Sequence, residues 1–307
     1  KSSLQKPGAF CSWKRDPGIL EYMVWLSSVN DVAGVISSVD ERQINEDDLS
    51  KPGGPVDETA ARQLRLSLGQ DKCASLPDGF LEKCLVYQSS DPERAETIIE
   101  GFLRFRTEAR WSFRIPADEV ETALRSGLHW LLWGKSADDA EGPAACLVFN
   151  MAALDCQACS VEEYQKLSMF LMERATDHLA VQRRGVALVV DFRGAQFSKL
   201  SAKMHVEDLK RGLRCWVGSF PCRMRRIWLL GAPSPVRWLT SAMARLLSPK
   251  VRARIRFAEA TALKTVQEDL GDFIDLPPAL GGTAQFDWDE EVMLYLDEPK
   301  SPTRLSL

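Results

Sequence analysis

The 307-residue chain is 45% hydrophobic and 27% charged, a globular composition that excludes disordered, collagen-like and mucin-like classes. Its formal net charge of −4 is unevenly spread, because residues 183–256 hold 17 Lys or Arg against three acids, a net of +14, and the remainder is −18. Such asymmetry points to an anionic partner, nucleic acid or a membrane surface. The longest charge-free stretches, 142–154 and 227–236, fall short of the ~18–20 apolar residues that a spanning helix needs.

In chain order, residues 1–75 are punctuated by Pro7, Pro17, the acidic run Glu41–Asp48 and Lys51-Pro-Gly-Gly-Pro55, which predicts an irregular extension of short helices and loops. Trp13, Tyr22, Trp25 and Leu26 are expected to dock this extension onto the body or onto a partner. Phe80 to Trp111 carries apolar residues at three- and four-residue spacing behind the cap-like Ser90-Asp91-Pro92, and a second helix is predicted from Ala117 to about Trp133. Residues 76–135 therefore form an expected all-helical subdomain.

From residue 136 to 287 short continuous apolar runs alternate with helical stretches. Strands are predicted at Ala144–Phe149, Gly185–Val190, Ile227–Leu230 and Arg254–Phe257, with helices at about 161–181, 205–217 and 236–247 between them. Continuous apolar strands separated by helices indicate an α/β fold with a mainly parallel sheet covered by helices. Residues 288–307 read as an acidic and polar C-terminal tail lying over the body.

Enzyme signatures are few. No P-loop, nucleophile elbow or HExxH is found, and His129, His178 and His205 are the only histidines. Cys156-Gln-Ala-Cys159 lacks a second pair at zinc spacing and reads as structural; eight dispersed cysteines, several among apolar neighbours, favour a reducing compartment. Asp191 ends a strand where α/β enzymes place a catalytic carboxylate, but with no partner nearby in sequence it reads as a turn cap. Lys250, Arg252, Arg254 and Arg256 are expected to alternate through a strand and to present one basic face beside Arg223, Arg225 and Arg226. The helix between these groups, with Val236, Leu239 and Met243 on one side, suits either a membrane surface or the cover of a sheet.

Four ordered blocks then carry a resemblance. Phe220-Pro-Cys-Arg-Met-Arg-Arg-Ile-Trp-Leu-Leu-Gly-Ala-Pro233, the helix leading into Leu246-Leu-Ser-Pro-Lys-Val-Arg-Ala-Arg-Ile-Arg-Phe257, Leu276-Pro-Pro-Ala-Leu-Gly-Gly-Thr283 and Val189-Val-Asp-Phe-Arg-Gly194 are similar to the CRAL-TRIO lipid-binding family, which includes α-tocopherol transfer protein and cellular retinaldehyde-binding protein. The resemblance implies a sheet floor and a helical wall around an apolar cavity for one lipid or isoprenoid, no catalytic residues and no other cofactor. It places Val236, Leu239, Ala242 and Met243 on a gate helix, and Arg223, Arg225, Lys250 and Arg254 where anionic headgroups such as phosphoinositides are contacted. Gly231 stands where the family usually has Asn, and the family's basic Arg-x-Arg is replaced around Glu82–Cys84, which removes one side of the headgroup site.

The expected function is non-enzymatic binding, with transfer between membranes, of a hydrophobic ligand by a protein docked peripherally on an anionic membrane from the cytoplasm. The alternative is an accessory subunit that uses the same fold as an interaction module in a larger complex, through residues 1–75. That alternative is organellar, since a chain opening on Lys1 is consistent with a removed targeting segment. Nucleic acid is disfavoured, because the basic block offers few aromatic or Gly-rich motifs for base stacking.

Overall fold

A computed structural model describes residues 56–135 and 142–296, apart from 156, 197–207, 209–210, 213–214, 216–218, 235, 238–239 and 242–248. Four helices open the described chain: α1 (Glu58–Leu68), α2 (Gln70–Ser75), α3 (Phe80–Tyr87) and α4 (Pro92–Ala109). Helix α4 starts on strong local signals, for the Asp91 carboxylate accepts the Glu93 and Arg94 N–H groups at 3.1 Å each and Pro92 occupies the first turn. Its Ile98, Ile99 and Phe102 pack with Ala60, Leu64 and Leu68 of α1 and with Phe80 and Leu81 of α3 in one buried cluster. Helical packing thus extends upstream of residue 76, into chain expected to hold short helices and loops.

The helix expected over 117–133 is instead a 3-10 turn (Ala117–Glu119), a short α5 (Glu121–Arg125) and a strand, β1 (His129–Trp133). Gly127, at φ 69°, redirects the chain between them. Strand β1 pairs antiparallel with β2 (Ala145–Asn150), and Leu131 and Leu132 are buried in separate cores on its two faces. Two adjacent buried leucines fit helix or strand alike in sequence; the two-residue alternation appears only once a partner strand exists.

A capping box at Ser160 and Glu163 starts α6 (Val161–Ala175). The helix expected to continue to 181 stops here, where the Thr176 hydroxyl donates to the Met172 carbonyl at 2.9 Å, and the chain resumes as α7 (Leu179–Arg184). Strands β3 (Val186–Asp191) and β4 (Met224–Leu230) follow. Next come α8 (Pro249–Arg254), β5 (Ile255–Ala258), α9 (Leu263–Leu270) and α10 (Trp288–Leu296). The sheet runs β1-β2-β3-β4-β5, with β2 to β5 mutually parallel and β1 antiparallel at the edge. The mainly parallel α/β fold is therefore present, with one antiparallel strand added.

Two details correct the sequence reading. Lys250, Arg252 and Arg254 belong to helix α8, so they do not alternate along a strand; only Arg256 lies in β5. Proline at residue 249 suits a helix start, and the strand is only four residues long. The C-terminal segment is also more ordered than a polar tail. Val292 and Tyr295 of α10 are buried in the α5–α6 core, and the Trp288 indole N–H donates to the Leu124 carbonyl at 2.8 Å.

Charged side chains join the helical subdomain to the sheet domain. Arg106 of α4 is 1% exposed and donates to Glu173 of α6 at 2.5 Å, and Glu173 also accepts the Ile115 N–H at 3.0 Å. Lys83 of α3 and Arg114 both pair with Asp177, at 2.5 and 2.7 Å. Burial raises the pKa of Glu173, with the nearby arginines acting against it.

Candidate functional site

The register of the sheet lays two rows of side chains across one face. Leu131, Leu147, Leu188, Ile227 and Ile255 are in register across the five strands, as are His129, Phe149, Val190, Leu229 and Phe257. The two halves of this face differ. Over β1 and β2, helix α6 and its neighbours bury Leu131 and Leu147 completely. Over β3 to β5, Leu188, Val190, Ile227, Ile255 and Phe257 all remain partly exposed. Leu229 in the same row is buried, and among the described residues Val190, Ile227, Ile255 and Phe257 belong to none of the three buried clusters.

The opposite face is sealed. Val148, Ala187, Val189, Trp228, Leu230 and Ala258 are all buried beneath Val266, Leu270, Ile274 and Leu276. Each partly exposed Leu, Ile or Phe forgoes a part of the roughly 1.5–3 kcal/mol that full burial contributes. Among the described residues, the strand set thus has a finished core on one side and a row of partly exposed apolar side chains on the other.

At the rim of this floor the chain turns upward. Val236 is partly exposed in the helical turn after Pro233, and the Arg237 guanidinium lies 5.3 Å from the Phe257 ring centroid while pairing with Glu259 at 2.6 Å. Of the expected gate residues only Val236 is described; Leu239, Ala242 and Met243 lie outside the described residues. Gly231 sits at φ 64°, the left-handed region that Gly and Asn share, so the replacement of the family's Asn preserves the turn.

The basic residues gather at the N-terminal edge of the same strands, but they do different things. Arg223 is 3% exposed and donates to the carbonyls of Val86 at 3.0 Å, Tyr87 at 3.2 Å and Arg183 at 3.3 Å. It therefore clasps the end of α3 to the start of β4, which a surface headgroup ligand would not do. Arg225 donates through Nε to the Arg184 carbonyl at 2.8 Å. Its pKa is lowered by burial and then by Arg254 and Arg226, so like charges are gathered around it. Arg254 ends α8 directly before the floor residue Ile255; Lys250 is in the same helix, and its side chain lies outside the described residues.

Arg226 and Arg256 instead turn to the other side, where Asp269 accepts both at 3.3 and 2.7 Å and also accepts the Trp228 indole N–H at 2.9 Å. Sequence reading grouped all these arginines and had no signal for Asp269, which lies thirteen residues beyond Arg256. Asp191 accepts the Arg193 backbone N–H at 3.0 Å and its side chain at 2.9 and 2.6 Å, the geometry of a capped turn. Cys159 is buried and Cys156 lies outside the described residues.

The CRAL/TRIO domain family model matches residues 138–282, which span β2 to β5, both faces of the parallel sheet and the basic edge. This segment is a CRAL/TRIO domain. The family is one of lipid-binding and lipid-transfer domains and is in general non-enzymatic. Among curated proteins, the tyrosine-protein phosphatase non-receptor type 9 of Rattus norvegicus is 28% identical over 113 residues, and its counterparts in Mus musculus and Homo sapiens are 27% identical. Each alignment covers 35% of this chain and 18% of the relative. The chain thus spans less than a fifth of those proteins, and the phosphatase activity in their name stays with them. The crystal structure of Sfh5 aligns over 90% of both chains at 12% identity and a TM-score of 0.44, a likeness that adds no argument to the CRAL/TRIO match.

Proposed function

We propose that the protein binds one hydrophobic ligand, a lipid or isoprenoid, on the β3–β5 floor of its CRAL/TRIO domain and carries it between membranes. The observation that carries the reading is the unequal finish of the sheet: sealed on one face, and left with partly exposed Leu188, Val190, Ile227, Ile255 and Phe257 on the other. Docking on an anionic membrane is assigned to the edge where Arg225 and Arg254 adjoin this floor, since guanidinium groups take phosphate in a bidentate fork and a basic surface gathers anionic lipid. Arg223 is not part of that contact.

Native mass spectrometry of the protein isolated from its source, followed by lipid extraction, tests the first half. Co-purifying lipid in one-to-one ratio is the expected result; a ligand-free protein that also takes up no lipid from vesicles refutes it. For the second half, Arg225→Glu with Arg254→Glu removes two cations and installs two anions. At roughly 1 kcal/mol per basic residue near an anionic surface, vesicle affinity should fall by about tenfold or more and lose much of its salt dependence. Equal binding of wild type to neutral and anionic vesicles refutes the docking edge while leaving ligand binding standing.

A further inference from the structure

The row of side chains that starts at His129 has two unlike borders. Towards β1 and β2 it ends beneath helix α6, whereas β5 is the outer strand of the sheet, so Phe257 is the last side chain of the row. Over Phe257 lies the Arg237 guanidinium, 5.3 Å from the ring centroid, and its Nη1 is 2.6 Å from the carboxylate of Glu259, two residues beyond the ring. The backbone on both sides of this pair is fixed. The Arg237 N–H donates to the Pro233 carbonyl at 3.0 Å, and the Ser241 hydroxyl donates to the Arg237 carbonyl at 2.7 Å. Across from it, the Ala262 N–H donates to the Glu259 carbonyl and the Gly231 N–H to the Ala258 carbonyl, each at 2.9 Å. Only two side chains need to turn for the ring to be uncovered.

We propose that Arg237 and Glu259 form a clasp over the outer border of the floor and set the rate at which an apolar ligand crosses Phe257. The inference rests on the floor being the ligand's seat, as proposed above. Exposure decides what the pair is suited to. Its side chains are 41% and 70% exposed, against 1% and 8% for Arg106 and Glu173, which brace the two subdomains. An ion pair so open to water is weak and yields to salt, and the cation–π contact on an exposed ring adds a contribution of similar size. Contacts of that strength break and re-form readily on a fixed backbone, which suits a cover and not a brace. The pair also stands apart from the docking edge, because Arg254 precedes β5 and Glu259 follows it.

Nile red, a neutral apolar dye, probes the floor without engaging the docking arginines by charge. In stopped-flow mixing with the full chain, association should be about two- to fivefold faster in Glu259→Gln and about tenfold faster in Arg237→Ala than in the wild type, with unchanged urea melts. High salt should speed association to the wild type and leave Arg237→Ala unaffected, opposite in sign to its weakening of vesicle binding. Arg237→Glu combined with Glu259→Arg restores the ion pair with its partners exchanged, so its rate should return part of the way to the wild-type value, which a merely structural role for either residue would not produce. Equal association rates in the wild type, Glu259→Gln and Arg237→Ala overturn the clasp; if Ile227→Asp still abolishes dye binding, the floor stands without it. Dye that does not bind the wild type, or binds Ile227→Asp equally well, refutes the floor and the clasp with it.

Discussion

His129 offers a sharp test of the packing around β1. Its imidazole is 3% exposed, with Nε2 3.0 Å from the Ser168 hydroxyl, Nδ1 without a hydrogen-bond partner, and the Phe149 ring edge-on at 4.2 Å between centroids. Burial lowers its pKa to about 3. A neutral imidazole folded and a titratable one unfolded make stability depend on pH in a definite direction. The contribution is complete above the unfolded pKa of about 6.5 and is lost progressively as pH falls towards the folded pKa, at about 1.4 kcal/mol per pH unit in the fully developed range. Between pH 7 and pH 5 the wild type should therefore lose about 2 kcal/mol from this one group. Replacing His129 with Gln keeps a neutral polar side chain near Ser168 and removes the titration. Urea melts of both proteins at pH 7, 6 and 5 isolate the effect as the difference between two slopes, because every other group titrates equally in the two. Parallel pH dependence in wild type and His129→Gln would refute the reasoning and show that the ring is charged or solvated in the fold.

The junction between the subdomains makes a second prediction. Arg106→Met should cost about 3–5 kcal/mol in denaturant melts because it leaves the buried Glu173 carboxylate without its closest cation, and Glu173→Gln should cost a comparable amount at neutral pH because it leaves the buried Arg106 guanidinium without its anion. The raised pKa of Glu173 fixes the sign: it takes up a proton on acidification before an ordinary carboxylate does, so the Arg106→Met penalty should shrink as pH falls towards the unfolded Glu pKa, and a penalty independent of pH counts against the assignment. On the floor, Ile227→Asp should abolish lipid uptake from vesicles at a smaller cost to the melt than a buried core position would carry, since among the described residues Ile227 is partly exposed and packs in no buried cluster; unchanged uptake counts against the floor. At the turn before Val236, Gly231→Ala should lose about 1–2 kcal/mol from the left-handed backbone, with further strain from a Cβ placed 2.9 Å from Arg193 Cγ, and Gly231→Asn should lose less of the backbone part; equal melting of both variants and wild type counts against it.

The fold was legible to the extent that its elements are locally determined. Strands β2 and β3 are continuous apolar runs bounded by Gly, Asn or Asp and α4 carries its cap in the sequence, so these are legible nearly where they stand; β4 begins three residues before the expected Ile227, because Arg225 and Arg226 interrupt its apolar pattern, and α6 starts at its cap but ends earlier than expected. Strand β1 was misread because its pattern is completed only by antiparallel pairing with β2, a partner separated from it by residues 134–144. The α6–α7 break depends on a Thr hydroxyl turning back to its own helix, a choice that Thr makes in some contexts and not in others.

The basic block shows why the site was less legible than the fold. Its charge of +14 is correct arithmetic, yet charge in a sequence has no direction. Folding sends Arg223 inward to three backbone carbonyls, turns Arg226 and Arg256 to a carboxylate on the sealed face, and leaves Arg225 and Arg254 beside each other at the edge of the floor. Helix–strand alternation explains the sorting. From Arg226 to Leu230 neighbouring residues of β4 point to opposite faces, whereas Arg225 is the extra residue where the register shifts against Val186 and Ala187 and donates instead to the Arg184 carbonyl, beside Arg254 at the end of α8. The same alternation separates Ile227 and Leu229 from Trp228 and Leu230. From Arg226 to Leu230 one periodicity thus divides the side chains of β4 between the two faces of the sheet. It follows that exchanging the two arginine positions in function should fail: Arg226→Glu should disturb stability through Asp269 with little effect on vesicle binding, whereas Arg225→Glu should weaken vesicle binding more than it disturbs the melt.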